Sequence, residues 1–386
     1  MTKSFTPLNP TGQAAERFLR DGSGPARIEP LKALDRLRRG QGEAYDRWGA
    51  APAPAPSEIV REWPGLRLRR YAEGTAGTIL IVPATIKRWY IWDIAAGASP
   101  VRRLIDAGWT VFMADWTDPG DGPDSPGGEV ARFGLGDYAG RLLGQALETA
   151  SAGADGGRVV LAGHSLGGTF AALHAATGAT TGTGRVRALL LVEAPLAFGA
   201  EAGAFAPLVA AARGLEPGRD AGPIPGSLLN IASAAMAPEA FVWERLWDRL
   251  VIAGDRDLWS LHMKVERWAL DEFAMPAPLF RDVVDLLYRE DRFARGLLDV
   301  DGRRADPARL GRLPVLAVVD PASRVVPPAS ALGPLRPGPS GGGRPVVLEH
   351  GPDPGTALRH VAALVGREAH RTLWPTILSW LRALAP

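Results

Sequence analysis

The chain has no cysteine among its 386 residues. That absence excludes a disulfide framework, a thiolate zinc site, an iron–sulfur cluster and a cysteine nucleophile. Lysine is almost as scarce. Only Lys3, Lys32, Lys87 and Lys264 occur, and the rest of the 44 basic residues are arginines. They are spread along the chain against 42 acidic residues, for a net charge of +2. Such an even balance directs no strong field at nucleic acid, and no nucleic-acid partner is expected. No run of about 18 apolar residues appears, so no membrane span is expected. The opening MTKSFTPLNPTG has no apolar stretch after its charge, which does not fit a secretory signal and makes a cytoplasmic location the expectation. There is no H-E-x-x-H, no G-x-x-x-x-G-K-[ST], and the six histidines are scattered. Neither a metal nor a phosphate-cradling loop is expected, and no cofactor. The acidic stretch Asp118–Gly128 reads as a turn-rich loop rather than a cation site.

What is present is enough apolar sequence, 46% of the chain, to bury a full core. Residues 1–57 look separate from the rest. A basic helical stretch at Leu31–Arg39 leads into the alternating Ala51-Pro-Ala-Pro-Ala-Pro56, which favours extended polyproline geometry and reads as a linker. From about Leu66 the pattern changes to short apolar runs rich in β-branched residues: Thr78–Pro83, Thr110–Ala114, Arg158–Ala162, Ala188–Val192, Pro314–Val319 and Pro345–Leu348. Their lack of alternation suits strands covered on both faces. Helical patterns at Pro100–Ala107, Asp137–Ala150 and Leu166–Thr177 separate them, which predicts right-handed crossovers and an α/β fold with a mostly parallel sheet and helices on both faces. Residues 58–193 and 314–386 then form the two parts of the core. The intervening residues 194–313 are too long for a structureless loop and carry helical patterns at Ala240–Leu250, Leu258–Ala269 and Leu279–Phe293, so they read as a helical cap. An amphipathic helix over Glu368–Leu384 closes the chain, and Gly333–Arg344 reads as a Gly/Pro-rich surface loop.

The sharpest local signal is Gly163-His164-Ser165-Leu166-Gly167, a G-x-S-x-G. It follows a strand-like run and opens a helix, LGGTFAALHAA. A tight strand-to-helix turn needs small residues on both sides and lifts the serine hydroxyl clear of the sheet. The competing interpretation, a plain Gly-rich turn, does not account for that context. Ser165 is therefore the candidate nucleophile, and the Leu166 N–H a candidate oxyanion donor at the helix start. A second donor is expected from the loop after the first strand of the core, at Thr85. His360, after the last strand, is the candidate base, ahead of His350. His164 reads as a packing neighbour of the nucleophile, and His174, His262 and His370 as surface or core histidines. The acid that orients the base is expected at Asp320, which ends the strand PVLAVVD, with Glu193 at the end of LLLVE as the alternative.

Many blocks of the chain, in order, resemble polyhydroxyalkanoate synthases, nearest to their short two-component class. They include ILIVPATIKRWYIWDI, GHSLGGTFAALHAA, LVEAPLAF, PGSLLNIA, VERWALDEFAMPAPLFRDVVDLLY and LWPTILSWL, and the likeness runs from about Thr78 to Leu384. It implies an α/β-hydrolase fold with a cap, and acyl-enzyme chemistry on hydroxyacyl-CoA leading to polyester. His360-Val-Ala-Ala-Leu-Val matches the family's histidine block. Two positions depart. The family carries cysteine where Ser165 stands, and an acid before a Val-Pro pair where this chain has Ser323, so that Asp320 would have to substitute. Attack by a serine hydroxyl on a thioester gives a lower-energy oxyester, from which transfer to abundant water is the favoured exit.

Three readings follow. The first is a serine acyl hydrolase of hydroxyacyl esters, CoA thioesters or polyester. The second is a synthase-like acyltransferase. The third is a non-catalytic paralogue that binds a partner or a polymer granule. A second copy or a synthase-type subunit is the protein partner the resemblance implies. In the cap, Trp243 and Trp247 lie four apart on one helical face, and with Trp259 and Trp268 they read either as cap packing or as the wall of an acyl channel. Lys87, Arg88 and Trp89 read either as an anion contact or as a solvated basic loop.

Overall fold

A computed structural model describes residues 25–119, 127–178, 185–205, 222–335 and 343–384. Residues 1–24, most of the acidic stretch after Asp118 and most of the loop between Gly333 and Arg344 lie outside the described residues.

An eight-stranded sheet organises the chain. Its strands are β1 (Glu58–Trp63), β2 (Leu66–Ala72), β3 (Gly77–Val82), β4 (Trp109–Trp116), β5 (Val159–His164), β6 (Val186–Val192), β9 (Val315–Val319) and β10 (Val346–Glu349), and a separate small hairpin holds β7 (Asp299–Val300) and β8 (Arg303–Arg304). The order across the sheet is β1-β2-β4-β3-β5-β6-β9-β10. From β4 to β10 neighbouring strands run parallel, while β1 and β2 form an antiparallel pair at one edge. Each expected strand is present within a residue or two. The edge pair was not expected, because its polar residues, four of them arginines, conceal a strand that buries only one face around Leu66 and Leu68.

The buried strands divide their side chains between two cores, as period-two geometry requires. In β3, Leu80 and Val82 face one side and Ile79 and Ile81 the other; in β5, Leu161 opposes Val160 and Ala162. The second side is closed by α2 (Pro100–Asp106), which starts with Pro at its first position and is capped by Ser99 Oγ accepting the Arg102 N–H at 2.9 Å. The first side is closed by α3 (Leu143–Ala152) and by α4 (Leu166–Ala176), which carries Phe170 and Leu173 into the core. Between β6 and β9 the chain builds the cap from α5 (Gly226–Met236), α6 (Glu244–Val251), α7 (Arg256–Leu270) and α8 (Ala277–Asp282). The last helix, α9 (Trp374–Ala383), returns to the second side and buries Trp374, Ile377 and Leu381.

Residues read as a separate N-terminal extension are, where described, docked on this body. The helix α1 (Pro25–Tyr45) sends Arg38 to the Ala269 carbonyl at 3.0 Å and to Glu272 at 3.1 Å, while Asp35 accepts the Ser227 N–H at 2.7 Å. The Ala/Pro segment is strapped to the core, with the Ala55 N–H donating to the buried Asp93 carboxylate at 2.6 Å. Polar contacts of this kind leave no hydrophobic period to read in the sequence. No helix among the described residues is long and apolar enough to cross a membrane.

Candidate active site

Ser165 joins β5 to α4 in a left-handed conformation, φ 53° and ψ −132°. A non-glycine residue there costs about 1–3 kcal/mol, and such strain gathers at functional sites. The surrounding glycines make the turn sterically feasible. A Cβ on Gly163 would lie 2.5 Å from Gly168 Cα, one on Gly168 would lie 2.5 Å from Ala194 Cβ, and one on Gly167 would collide with the Val82 carbonyl oxygen. Leu166 begins α4, so its N–H has no partner within the helix and points with the helix dipole toward any developing negative charge. Thr85 is buried in the loop after β3, and its neighbours Pro83, Ala84 and Ile86 line the cavity into which Ser165 faces.

His360 reaches the same cavity from the short turn Arg359–Val361. Its Nδ1 lies 3.0 Å from Glu193 Oε2. The carboxylate on the ring is thus that of Glu193 and not that of Asp320. Asp320 is held elsewhere: Arg359 grips it with two nitrogens, and its Oδ1 also accepts the Ala322 N–H at 2.9 Å. Ser323 is likewise engaged locally, with its Oγ accepting the Val326 N–H at 3.1 Å. Glu193 ends β6 with a positive φ of 44°, and its buried side chain is 2% exposed.

His164, beside Ser165, packs on His360 with ring centroids 4.6 Å apart, and its Nε2–H donates to the His360 carbonyl at 2.8 Å. This bond fixes the backbone that carries His360. The Ser165 hydroxyl and the His360 ring make no hydrogen bond to each other among the described residues, a common state before a substrate draws such groups together. The other histidines fall away from the cavity. His350 lies 3.8 Å from Asp353, the His174 Nδ1–H donates to the Ala139 carbonyl at 2.9 Å, and the His370 Nε2–H donates to the Leu364 carbonyl at 2.9 Å.

Burial sets the protonation of this group. It pushes Glu193 up to about 8 and His360 down to about 4, with nearby Asp320 opposing the fall of His360. His164 falls to about 3, again chiefly through burial and then through the His360 charge. Both rings are neutral near pH 7, which leaves an unprotonated ring nitrogen available on His360.

The cavity has a volume of about 360 Å³. Core residues form its floor, including Ser165 and His360, and the cap supplies Leu228, Phe241, Trp268 and Tyr288. Of the cap tryptophans, Trp268 alone lines it; it is 5% exposed and lies under the Lys87 ammonium at 5.1 Å. Trp243 and Trp247 do neither thing expected of them. They are 62% and 68% exposed, on the outer face of α6 and the turn before it. The basic loop after β3 is not a solvated one. Lys87 pairs with Glu272, and Arg88 with Asp271 at 3.0 Å while stacking on Phe273. No cluster of His, Asp and Glu suited to a metal occurs among the described residues.

No known family profile matches the chain. The poly(3-hydroxyalkanoate) polymerase subunit PhaC of Haloferax mediterranei is 26% identical over 344 residues, covering 84% of this chain and 63% of that protein. The PhaC subunit of Synechocystis sp. is 25% identical over 264 residues, 66% of each chain. Among solved structures, the monoacylglycerol lipase of Paleococcus ferrophilus superposes with a TM-score of 0.49 at 15% identity, over 83% of this chain and 99% of that one. By sequence the chain is similar to poly(3-hydroxyalkanoate) polymerase subunits. It spans less than two thirds of the Haloferax protein's length.

One feature of the site had no sequence signal. Asp248, on α6, accepts the Gly355 N–H at 2.8 Å and the Ala357 N–H at 3.0 Å, and His262 donates its Nδ1–H to the same carboxylate at 2.8 Å. The cap thereby holds the loop that leads into His360. Asp248 sits about 110 residues from that loop, and only the fold brings them together.

Proposed function

We propose that this chain is a serine acyl hydrolase that works through an acyl-enzyme on hydroxyacyl esters or thioesters, within polyhydroxyalkanoate metabolism. The observation that carries the reading is the contact of His360 Nδ1 with Glu193 Oε2, at 3.0 Å, in a cavity whose wall also holds Ser165. In this reading Ser165 Oγ attacks the substrate carbonyl, His360 Nε2 takes its proton, and Glu193 accepts the Nδ1–H and stabilises the imidazolium. The Leu166 N–H and the N–H of Thr85 receive the oxyanion. The tetrahedral intermediate expels thiol or alcohol, which leaves with the proton from His360. A serine ester remains. Water, deprotonated by His360, then releases the hydroxy acid.

The oxyester is what argues for hydrolysis. Passing an acyl group from Ser165 to a second alcohol exchanges one ester for another and has little driving force, whereas water is present in great excess. The similarity to polymerase subunits favours a second reading, acyl transfer to a growing polyester. Purified protein supplied with 3-hydroxyacyl-CoA and with short hydroxybutyrate oligomers tests the pair. Free hydroxy acid is expected from both. Long polymer formed without free acid would reverse the order of the two readings.

A further inference from the structure

Among the described residues, six cationic side chains line the cavity: Lys87, Arg88, Arg245, Arg281, Arg289 and Arg359. Five of them are neutralised by carboxylates. Lys87 pairs with Glu272, Arg88 with Asp271, Arg245 with Glu266, Arg289 with Asp285 and Arg359 with Asp320. Arg281 is the exception. No carboxylate lies in ion-pair range of it among the described residues, and its Nε is buried without a hydrogen-bond partner.

The two acids nearest to Arg281 in sequence are both committed elsewhere. Asp282 turns to the core, where its Oδ2 accepts the Leu135 N–H at 2.8 Å. Asp285, one turn on and correctly spaced for Arg281, instead takes Arg289 at 2.5 Å. A guanidinium does not escape by losing its proton. Arg281 is partly buried, with its Nε fully so; holding that cation beside the cavity without a counter-charge is unfavourable, and an arriving anion relieves it. The remaining surroundings are mostly apolar, among them Phe280 and Val284, so the anion would be met in a low-dielectric site where a planar two-pronged donor discriminates strongly.

We infer that Arg281 is the anion-recognition residue of this cavity, a specificity determinant that engages a phosphate or carboxylate carried by the ester substrate. The identity of the ligand rests on the acyl-hydrolase reading, whereas the anion site itself does not. Two groups have the required chemistry: a phosphate of a CoA leaving group, and the free carboxylate end of a hydroxyacid oligomer.

Calorimetric titration of Ser165→Ala protein, which removes turnover, tests this with four probes: coenzyme A, pantetheine, the linear 3-hydroxybutyrate dimer acid and its methyl ester. Adding Arg281→Gln should weaken one of the two anionic probes by about tenfold or more and leave pantetheine and the methyl ester within about twofold. Loss confined to coenzyme A assigns the phosphate, and loss confined to the dimer acid assigns the carboxylate. Arg281→Lys keeps the charge and should fall between parent and Gln; it also serves if the Gln variant does not fold. The inference is overturned if the variants bind both anionic probes as the parent does, or if neither anionic probe binds the parent more tightly than its neutral counterpart. Failure of the hydrolase reading would register separately, as an absence of acid release by the unsubstituted protein.

Discussion

Ser165 and Glu193 are the residues that immediately follow two paired positions, His164 of β5 and Val192 of β6. The parallel register therefore delivers a hydroxyl and a carboxylate to the same end of the sheet from adjacent strands, and the Ser165 N–H donates to the Val192 carbonyl at 3.0 Å. Both residues adopt positive φ as they leave their strands. His360 then bridges from a third direction, bonded to Glu193 through its ring and to His164 through its backbone.

If Ser165 is the nucleophile, a fluorophosphonate probe should label the protein once, at that residue. Ser165→Ala should abolish labelling and lower ester hydrolysis by about a thousandfold or more. Retained hydrolysis in the variant would remove Ser165 from the mechanism, and absence of labelling in the unsubstituted protein would favour a non-catalytic binding role.

The two candidate acids are separable. Glu193→Gln should lower kcat/KM by about 10²–10⁴-fold, since the amide carries no charge to stabilise the imidazolium and its NH2 can hold His360 in the wrong tautomer. Asp320→Asn should cost less than about tenfold in rate but lower the melting temperature, because Arg359 loses its bidentate partner. The opposite pattern would make Asp320 the orienting acid.

Ionised Glu193 is the form that stabilises an imidazolium, and burial raises its pKa to about 8. Activity should therefore rise with pH through about 8. Stability runs the other way. The folded-state pKa lies above the unfolded value, so the contribution of this group is full below about pH 4.5 and is lost as pH rises through about 8. Melting temperatures from pH 6 to 9 should fall more steeply for the unsubstituted protein than for Glu193→Gln. Equal slopes would show that Glu193 is not held protonated.

Asp248 is expected to act as a positioning residue. Asp248→Asn should reduce kcat by about tenfold with little change in KM, and should speed hydrogen exchange at the amides of 355–361, because Gly355 and Ala357 lose a charged acceptor. A loss of stability with kcat unchanged would limit its role to packing the cap.

The succession of parallel strands and crossover helices was legible in the sequence because parallel strands buried on both faces must be continuously apolar, and because the helices between them carry their own period. The elbow was legible for a similar local reason: Gly163, Gly167 and Gly168 are required by contacts within one turn and its nearest strands. The edge strands β1 and β2 were missed because a half-exposed pair rich in arginine has no such run. The surface position of Trp243 and Trp247 was missed for a related reason. Spacing shows that two side chains share a helical face, but not whether that face turns inward.

Local chemistry, then, is what the sequence by itself determined: an α/β sheet, a cap inserted after β6, a strained serine at a strand-to-helix turn and a histidine near the C-terminus. Which acid meets that histidine, which loop the cap holds and which cavity arginine has no carboxylate among the described residues were decided only by tertiary structure. Asp320 and Glu193 both end parallel strands and are equivalent as sequence. The difference arises because Arg359 occupies one carboxylate and leaves the other to the ring of the next residue, His360, a contact between segments 167 residues apart that no local pattern encodes.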